Sequence, residues 1–370
     1  MKTYRLPLLL IGFAFTSSAL AQPAQMSPTR QPSLFVPSRY SDDVAVIDTS
    51  TNQVVTQIPV GSFPLRIAMT RDRRKAFVSN GLSASISVLD TVAQTNIATI
   101  PVYNVPGESS ITPDGRRLFV VHQAALNGHC PVAVIDTATN LVITTVLLPG
   151  HQCKDILFTP NGRFAYVANT SEGLVNVINT NTYRVTNIPT RGAARRLCIS
   201  PAGDRVYVTN NGDNSVSAID TATNQVITTI GVGRSPIGIA ITPNGEEIYA
   251  TNQEDGTVSV INTTTLSVVA TIPTGNLPQR VVITHDGKKA FVENGYSDTV
   301  SAIDTATHTV SATIPVGHHP WTMLGSPNDE KLYVCNSTDT TVTVIDIPSL
   351  TVSGTIADVG SAPFDLAFGP

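Results

Sequence analysis

Charged residues are scarce in this chain of 370 residues: Asp, Glu, Lys and Arg together make up 14%, against about 25% in an ordinary globular domain. The net charge is −4 at pH 7, and no long basic stripe occurs. That removes the electrostatic footprint expected of a nucleic-acid or anionic-lipid binder. Four cysteines are too few for a cysteine-dense disulfide scaffold. No apolar stretch reaches the roughly 20 residues that cross a bilayer. A Gly-x-Ser-x-Gly elbow, a Walker loop, a haem-attachment Cys-x-x-Cys-His and a dense acidic metal cluster are all missing, so the common catalytic signatures do not apply.

The N-terminus reads as a secretory signal over residues 1–21. Lys2 and Arg5 precede an apolar run from Leu6 to Phe15, and Ala19-Leu20-Ala21 supplies the small-x-small cleavage pattern. Residues 22–33, rich in Pro, Gln and Ser, read as a disordered leader. With Lys2 and Arg5 removed the charge becomes −6. A periplasmic or secreted product, without a lipid anchor, is expected.

What remains, residues 34–370, is rich in Thr, Val and Ile, with Gly and Pro at intervals. One phrase recurs: VAVID ending at Asp48, then copies ending at Asp90, Asp136, Asn179, Asp220, Asn262, Asp304 and Asp346. These are spaced by 42, 46, 43, 41, 42, 42 and 42 residues. Each unit holds four strand-like runs, a to d. The unit from Pro236 shows PIGIAIT, EIYATN, TVSVIN and SVVATI in turn. A period in the forties with four strands per unit is a propeller blade. The polar residues between c and d, such as Asp220-Thr221-Ala222-Thr223-Asn224, serve turns whose backbone must be satisfied locally.

Tyr207-Val208-Thr209-Asn210, with variants at Phe77–Asn80, Tyr166–Asn169, Tyr249–Asn252, Phe291–Asn294 and Tyr333–Asn336, resembles the YVTN family of β-propeller repeats, YncE-like periplasmic propellers among them. The resemblance spans the chain after Ser33. It implies an all-β propeller and says little about function, because the motif residues build strands and turns. The chain starts at strand b (Leu34 to Pro37) and finishes with a lone strand a (Pro363 to Phe368). Docking that last strand beside the first closes eight four-stranded blades and removes free sheet edges. Seven blades with a stray unit is the alternative.

Antiparallel order sends the b–c and d–a loops to one face, and that face carries the irregular residues, so any site is expected there. A ring at one position of strand a holds Arg66, Glu108, Asp155, Arg196, Gly238, Arg280, Thr322 and Asp365. It reads either as ion pairs locking adjacent blades (Arg66–Glu108, Asp155–Arg196, Asp365–Arg66) or as a polar funnel for an anionic or zwitterionic ligand. Arg280 lacks an acidic neighbour in it. The enlarged unit places His122, His129 and Cys130 in its b–c loop and His151 and Cys153 in the next d–a loop. A Cys130–Cys153 disulfide suits an oxidising compartment; a metal site is the alternative, although the spacing matches no standard zinc signature. Cys198 and Cys335 read as buried free thiols. His318-His319-Pro320-Trp321, with the single Trp, reads as inter-blade packing or as a stacking surface for a ligand.

The leading functional expectation is a monomeric, non-enzymatic exported scaffold that binds a protein, glycan or small molecule through this face. No cofactor or metal is expected under it. The alternative is an enzyme or cofactor carrier using a His, Arg and Asp funnel. The resemblance extends to haem d1-binding domains and to propeller lactonases and lyases, so it implies hydrolysis, lyase chemistry or a haem-type or metal cofactor. Single-stranded DNA binding, as in some YncE-type propellers, is disfavoured by the acidic charge.

Overall fold

The computed structural model describes residues Pro32–Pro370; the signal segment and all but the end of the leader lie outside the described residues. Ser33, read as the last leader residue, is the first residue of a strand, and its N–H reaches the Pro370 carbonyl at 3.4 Å.

Every described strand belongs to one of eight four-stranded antiparallel sheets, and among the described residues no helix is present. The unit read from Pro236 becomes blade 6, with strand a at Pro236–Ile241, b at Glu247–Asn252, c at Thr257–Asn262 and d at Ser267–Pro273. Blade 1 draws b, c and d from Ser33–Ser38, Asp43–Asp48 and Gln53–Pro59, and takes strand a from Ala367–Phe368 at the far end of the chain. There Leu34 pairs with Phe368 and Phe35 with Ala367. Hydrogen bonds from Phe364 N–H to Pro37 (3.1 Å) and from Gly369 N–H to Ser33 (2.7 Å) extend the pairing. The expected closing strand therefore forms. Its regular part is shorter than expected, because strand a bulges after its opening residue here as in the other blades.

The blades hold together because each buries its faces against both neighbours. Eight apolar clusters form, each drawn from two adjacent blades, and one joins Leu34, Val36 and Ile47 of blade 1 to Val342 and Val344 of blade 8. The first position of the YVTN-like phrase explains the repeat. Phe35, Phe77, Phe119, Tyr166, Tyr207, Tyr249, Phe291 and Tyr333 are among the largest fully buried side chains, one per blade. Burying such a ring is worth about 1.5–3 kcal/mol, repeated at every seam.

The motif's polar positions satisfy the connections. Asn210 donates to Ser215 Oγ at 3.0 Å and to Ser217 Oγ at 2.8 Å, clasping the b–c loop. Asn80, Asn252, Asn294 and Asn336 repeat the clasp. On the other face, Asp220 accepts from the N–H groups of Ala222 (3.0 Å) and Thr223 (2.8 Å), while Thr221 ties this turn to the Gly203 carbonyl at 2.8 Å. These carboxylates are spent on turns.

Candidate functional site: the channel mouth and the loop face

Strand a of each blade lines the channel, and its bulge falls at the ring position. A bulge leaves backbone N–H groups without ladder partners, and the ring side chains of neighbouring blades answer part of this need. Asp155 accepts from Leu197 N–H at 2.9 Å, and Asp365 accepts from Ile67 N–H at 3.1 Å. Asp365 was expected to pair with Arg66; it instead uses Oδ2 on the backbone, because the bulge presents a donor within reach. Burial raises the pKa of both carboxyls, against the pull of Arg196 on Asp155 and of Arg66 on Asp365.

Glu108 is the hub of the ring. Arg66 forks onto it, Nε to Oε2 and Nη2 to Oε1, both at 2.8 Å, and Arg196 reaches the same Oε1 at 2.7 Å. Arg196 also stands 3.5 Å from Asp155. The Arg66–Glu108 and Asp155–Arg196 pairs are those of adjacent blades. The Glu108–Arg196 pair skips a blade. Burial alone would raise the Glu108 pKa, but the Arg66 and Arg196 guanidiniums outweigh it and hold the carboxyl well below the usual range.

Arg280 stands apart. Among the described residues its guanidinium makes no ion pair within 4.0 Å and no side-chain hydrogen bond. Burial, then the charges of Arg196 and Arg66, lower its pKa. Between Arg196 and Arg280 the ring position is Gly238, where a Cβ would overlap the Gln279 carbonyl oxygen and stand 2.9 Å from Thr251 Oγ1. No side chain fits, and a cavity of about 220 Å³ opens along this arc, lined by Asp155, Arg196, Gly238, Arg280 and apolar groups including Val281 and Met323. Glu293, on strand b of the Arg280 blade, is fully buried with neither carboxyl oxygen in a hydrogen bond of good geometry. Burial pushes its pKa up to about 7, against the pull of Arg280.

At the mouth the only Trp lies in a row of aromatic rings, stacked from His319 to Phe364 and tilted at Tyr296. Ring centroids step from Tyr296 to His319 (5.7 Å), to Trp321 (5.7 Å) and to Phe364 (5.1 Å). The Arg39 guanidinium sits 3.1 Å from the Phe364 centroid, and that of Arg66 sits 4.7 Å from it. Tyr296 is 67% exposed, so the row runs from solvent down to the charged ring. Trp321 Nε1 and Arg39 Nε are buried without hydrogen-bond partners.

The histidines do not converge. His122 is buried, shares a hydrogen bond with the Pro131 carbonyl at 3.1 Å, and has its pKa lowered by burial. His151 is exposed, with its backbone N–H on Ser171 Oγ at 2.8 Å. His318 pairs with Asp339 at 2.8 Å, and His319 bonds Ser337 Oγ at 2.9 Å. Among the described residues no group of three potential metal ligands forms. Cys130 and Cys153 form a disulfide, their Cα atoms 6.3 Å apart, joining strand c of blade 3 to strand a of blade 4. Both were placed in loops. They instead lie on strands, because the enlarged unit lengthens strand c to His129–Asp136. Cys198 and Cys335 are buried free thiols.

Sequence reasoning passed over a cavity of about 270 Å³ on the opposite face, between blades 7 and 8. Gly325 stands there, at the strand-a position held by Ile241 and Ile283 in other blades. The signal was this one glycine in a column of larger apolar residues.

Eight radial sheets enclosing a charged channel define a β-propeller. The chain is similar to the YncE-like β-propellers over part of its length: the YNCE-like beta-propeller family model matches residues 239–347, and a model named lactonase, 7-bladed beta-propeller, matches residues 137–268. The protein described as "Uncharacterized protein YwhL" of Bacillus subtilis (strain 168) is 33% identical over 186 residues, half of this chain and 39% of that protein. The seven-bladed beta-propeller protein Rv1057 of Mycobacterium tuberculosis is 29% identical over 104 residues, 26% of each. The alignments thus span well under half of either relative. Among solved structures, dihydro-heme d1 dehydrogenase NirN in complex with DHE superposes with a TM-score of 0.77 at 12% identity, over 90% of this chain and 74% of that one. Kuenenia stuttgartiensis hydrazine synthase gives 0.61 at 23% identity, over 76% and 95%. At such identities the likeness is one of fold.

Proposed function

We propose that this protein is an exported, non-enzymatic propeller that presents its loop face and channel mouth to a ligand. The observation that supports this reading is the aromatic row ending in donors without acceptors, Trp321 Nε1 and Arg39 Nε. A buried donor left unpaired costs about 1–3 kcal/mol, and a ligand acceptor would relieve that cost where the side chains at the mouth shift to admit it. On the opposite face the turn carboxylates are used on backbone N–H groups in blade after blade, although Asn52 Oδ1 and Arg73 Nη1 are buried there without partners. Export to the periplasm or beyond agrees with the disulfide and with the signal-like N-terminus.

The lactonase match favours a second reading, an enzyme or cofactor carrier. The residues do not fit a macrocycle: the channel cavity of about 220 Å³ is smaller than the roughly 300–1,000 Å³ of ordinary ligand pockets, and no histidine lines it.

The single Trp makes the test direct, because intrinsic indole fluorescence reports the mouth alone. Titration with a panel of short-chain organic acids, oligosaccharides and aromatic compounds should give a saturable change with one class, together with a raised melting midpoint. A panel that moves neither signal would sink the binding reading.

A further inference from the structure

We propose that the arc formed by Arg196, Gly238 and Arg280 is a binding site for a short-chain organic acid, held by its carboxylate. This rests on the channel mouth being a binding surface, and it names the ligand class. Of the three ring arginines, Arg66 is saturated by its fork onto Glu108. Arg196 engages Glu108 and Asp155 through Nη1 alone, leaving its other N–H groups available. Arg280 has no ion pair within 4.0 Å among the described residues, only longer-range attraction from Glu108, Asp365, Asp155 and Glu293. Both guanidiniums line one cavity with no side chain between them, and each offers the planar fork of N–H donors that a carboxylate matches bidentately.

The walls add the second half of the specificity. Leu197, Ile239, Val281, Val282 and Met323 give the cavity an apolar side, suited to a hydrocarbon body rather than a bare inorganic anion. Its volume of about 220 Å³ holds a molecule of about seven heavy atoms, taking the roughly 30 Å³ of a water for each. Gly238 keeps the space open, because the neighbouring backbone excludes any larger residue.

Glu293 couples the site to protons. It lies behind Arg280 with no side-chain hydrogen-bond partner for either oxygen, and the Arg280 backbone N–H, Arg196 and Cys335 also face it. The other charges facing Arg280 are Arg66, Arg196, Glu108, Asp365 and Asp155, the last a carboxyl in the same cavity lining. With Glu293 titrating at about 7, its negative charge competes with a ligand carboxylate only on the alkaline side. Binding should therefore tighten as pH falls from 8 to 6, with proton uptake by the complex.

Isothermal titration of the full chain with propionate, succinate, glutarate and inorganic phosphate tests the assignment. We expect one organic acid to bind saturably, at least tenfold more weakly to Arg280→Gln, and with intermediate affinity to Arg280→Lys. Arg184→Gln, an exposed residue of the opposite face, should bind as the parent does. Unliganded Arg280→Gln should melt at or above the parent temperature, since an uncompensated charge is removed; a fall of several degrees would make Arg280 part of the structural lock and overturn the site. Unchanged affinity in Arg280→Gln also overturns it. Phosphate binding as tightly as the best acid overturns the ligand class. If no acid binds while Trp321 fluorescence responds to another compound, this site is wrong and the broader reading survives.

Discussion

At the scale of single residues, the charged ring separates by what each group already holds. Asp155 and Asp365 are committed to backbone donors and Glu108 to two arginines, while the Arg280 guanidinium has no ion pair within 4.0 Å among the described residues. Part of this was legible in the sequence. Alternating signs on adjacent blades anticipated Arg66–Glu108 and Asp155–Arg196, and the missing neighbour of Arg280 was visible in the same column. The blade-skipping pair of Glu108 and Arg196 was not, because a repeat reports which positions are adjacent and not how far a long side chain reaches. Glu293 was in view inside Phe291-Val292-Glu293-Asn294, replacing the Thr of the motif, but only burial gives it chemical meaning. Glu108→Gln should destabilise the protein by about 3 kcal/mol, since it strips Arg66 of its ion pair and leaves Arg196 only the longer 3.5 Å contact with Asp155. The sign of the pH effect follows from the depressed pKa. The Glu108 contribution is fully present above its unfolded value of about 4.5 and is lost as pH falls. The difference in melting midpoint between parent and variant should therefore shrink on acidification below that value; a difference that stays constant to pH 3 would contradict the hub role.

Elements were the most legible level, because each strand is bounded by residues with one structural task. Strand b ends at an Asn that clasps the next loop, strand c ends at an Asp or Asn that caps a turn, and the aromatic at the motif's first position faces the seam. The bulge in strand a was illegible, since it arises from how the strand curves around the channel and leaves no consistent residue type. It is nevertheless what turns the ring residues into backbone acceptors. The disulfide operates at this scale too, fastening strand c of one blade to strand a of the next across 23 residues. Closing a loop of this length is worth about 3 kcal/mol in the chain-entropy account. Denaturant unfolding with and without a reductant should show a loss of that order, and Cys130→Ser should lose as much without reductant. Equal stability of oxidised and reduced protein would mean that the apolar packing of Val132, Val146 and Ile156 around the pair holds this seam by itself.

For the whole molecule, blade count followed from which strands stood at the two ends of the repeat series, and the pairing of Leu34 with Phe368 closes the ring. Relatives described as seven-bladed share the repeat, so the number of blades is set by how many units the chain carries. Removing residues 362–370 should leave the Ser33–Ser38 strand as a bare edge and uncover the cluster of Leu34, Val36, Val342 and Val344. Light scattering should then report dimers or larger species, with a lowered melting midpoint; a monodisperse monomer of unchanged stability would refute the closing role of that strand. Joining the first strand to the last also imposes an order on assembly. Seven seams can form between neighbours in the chain, but the eighth waits for residues more than three hundred positions apart to find each other. Until they do, the aromatic row and the charged ring have no Phe364 and no Asp365, so the nominated binding surface is itself the product of the last folding step.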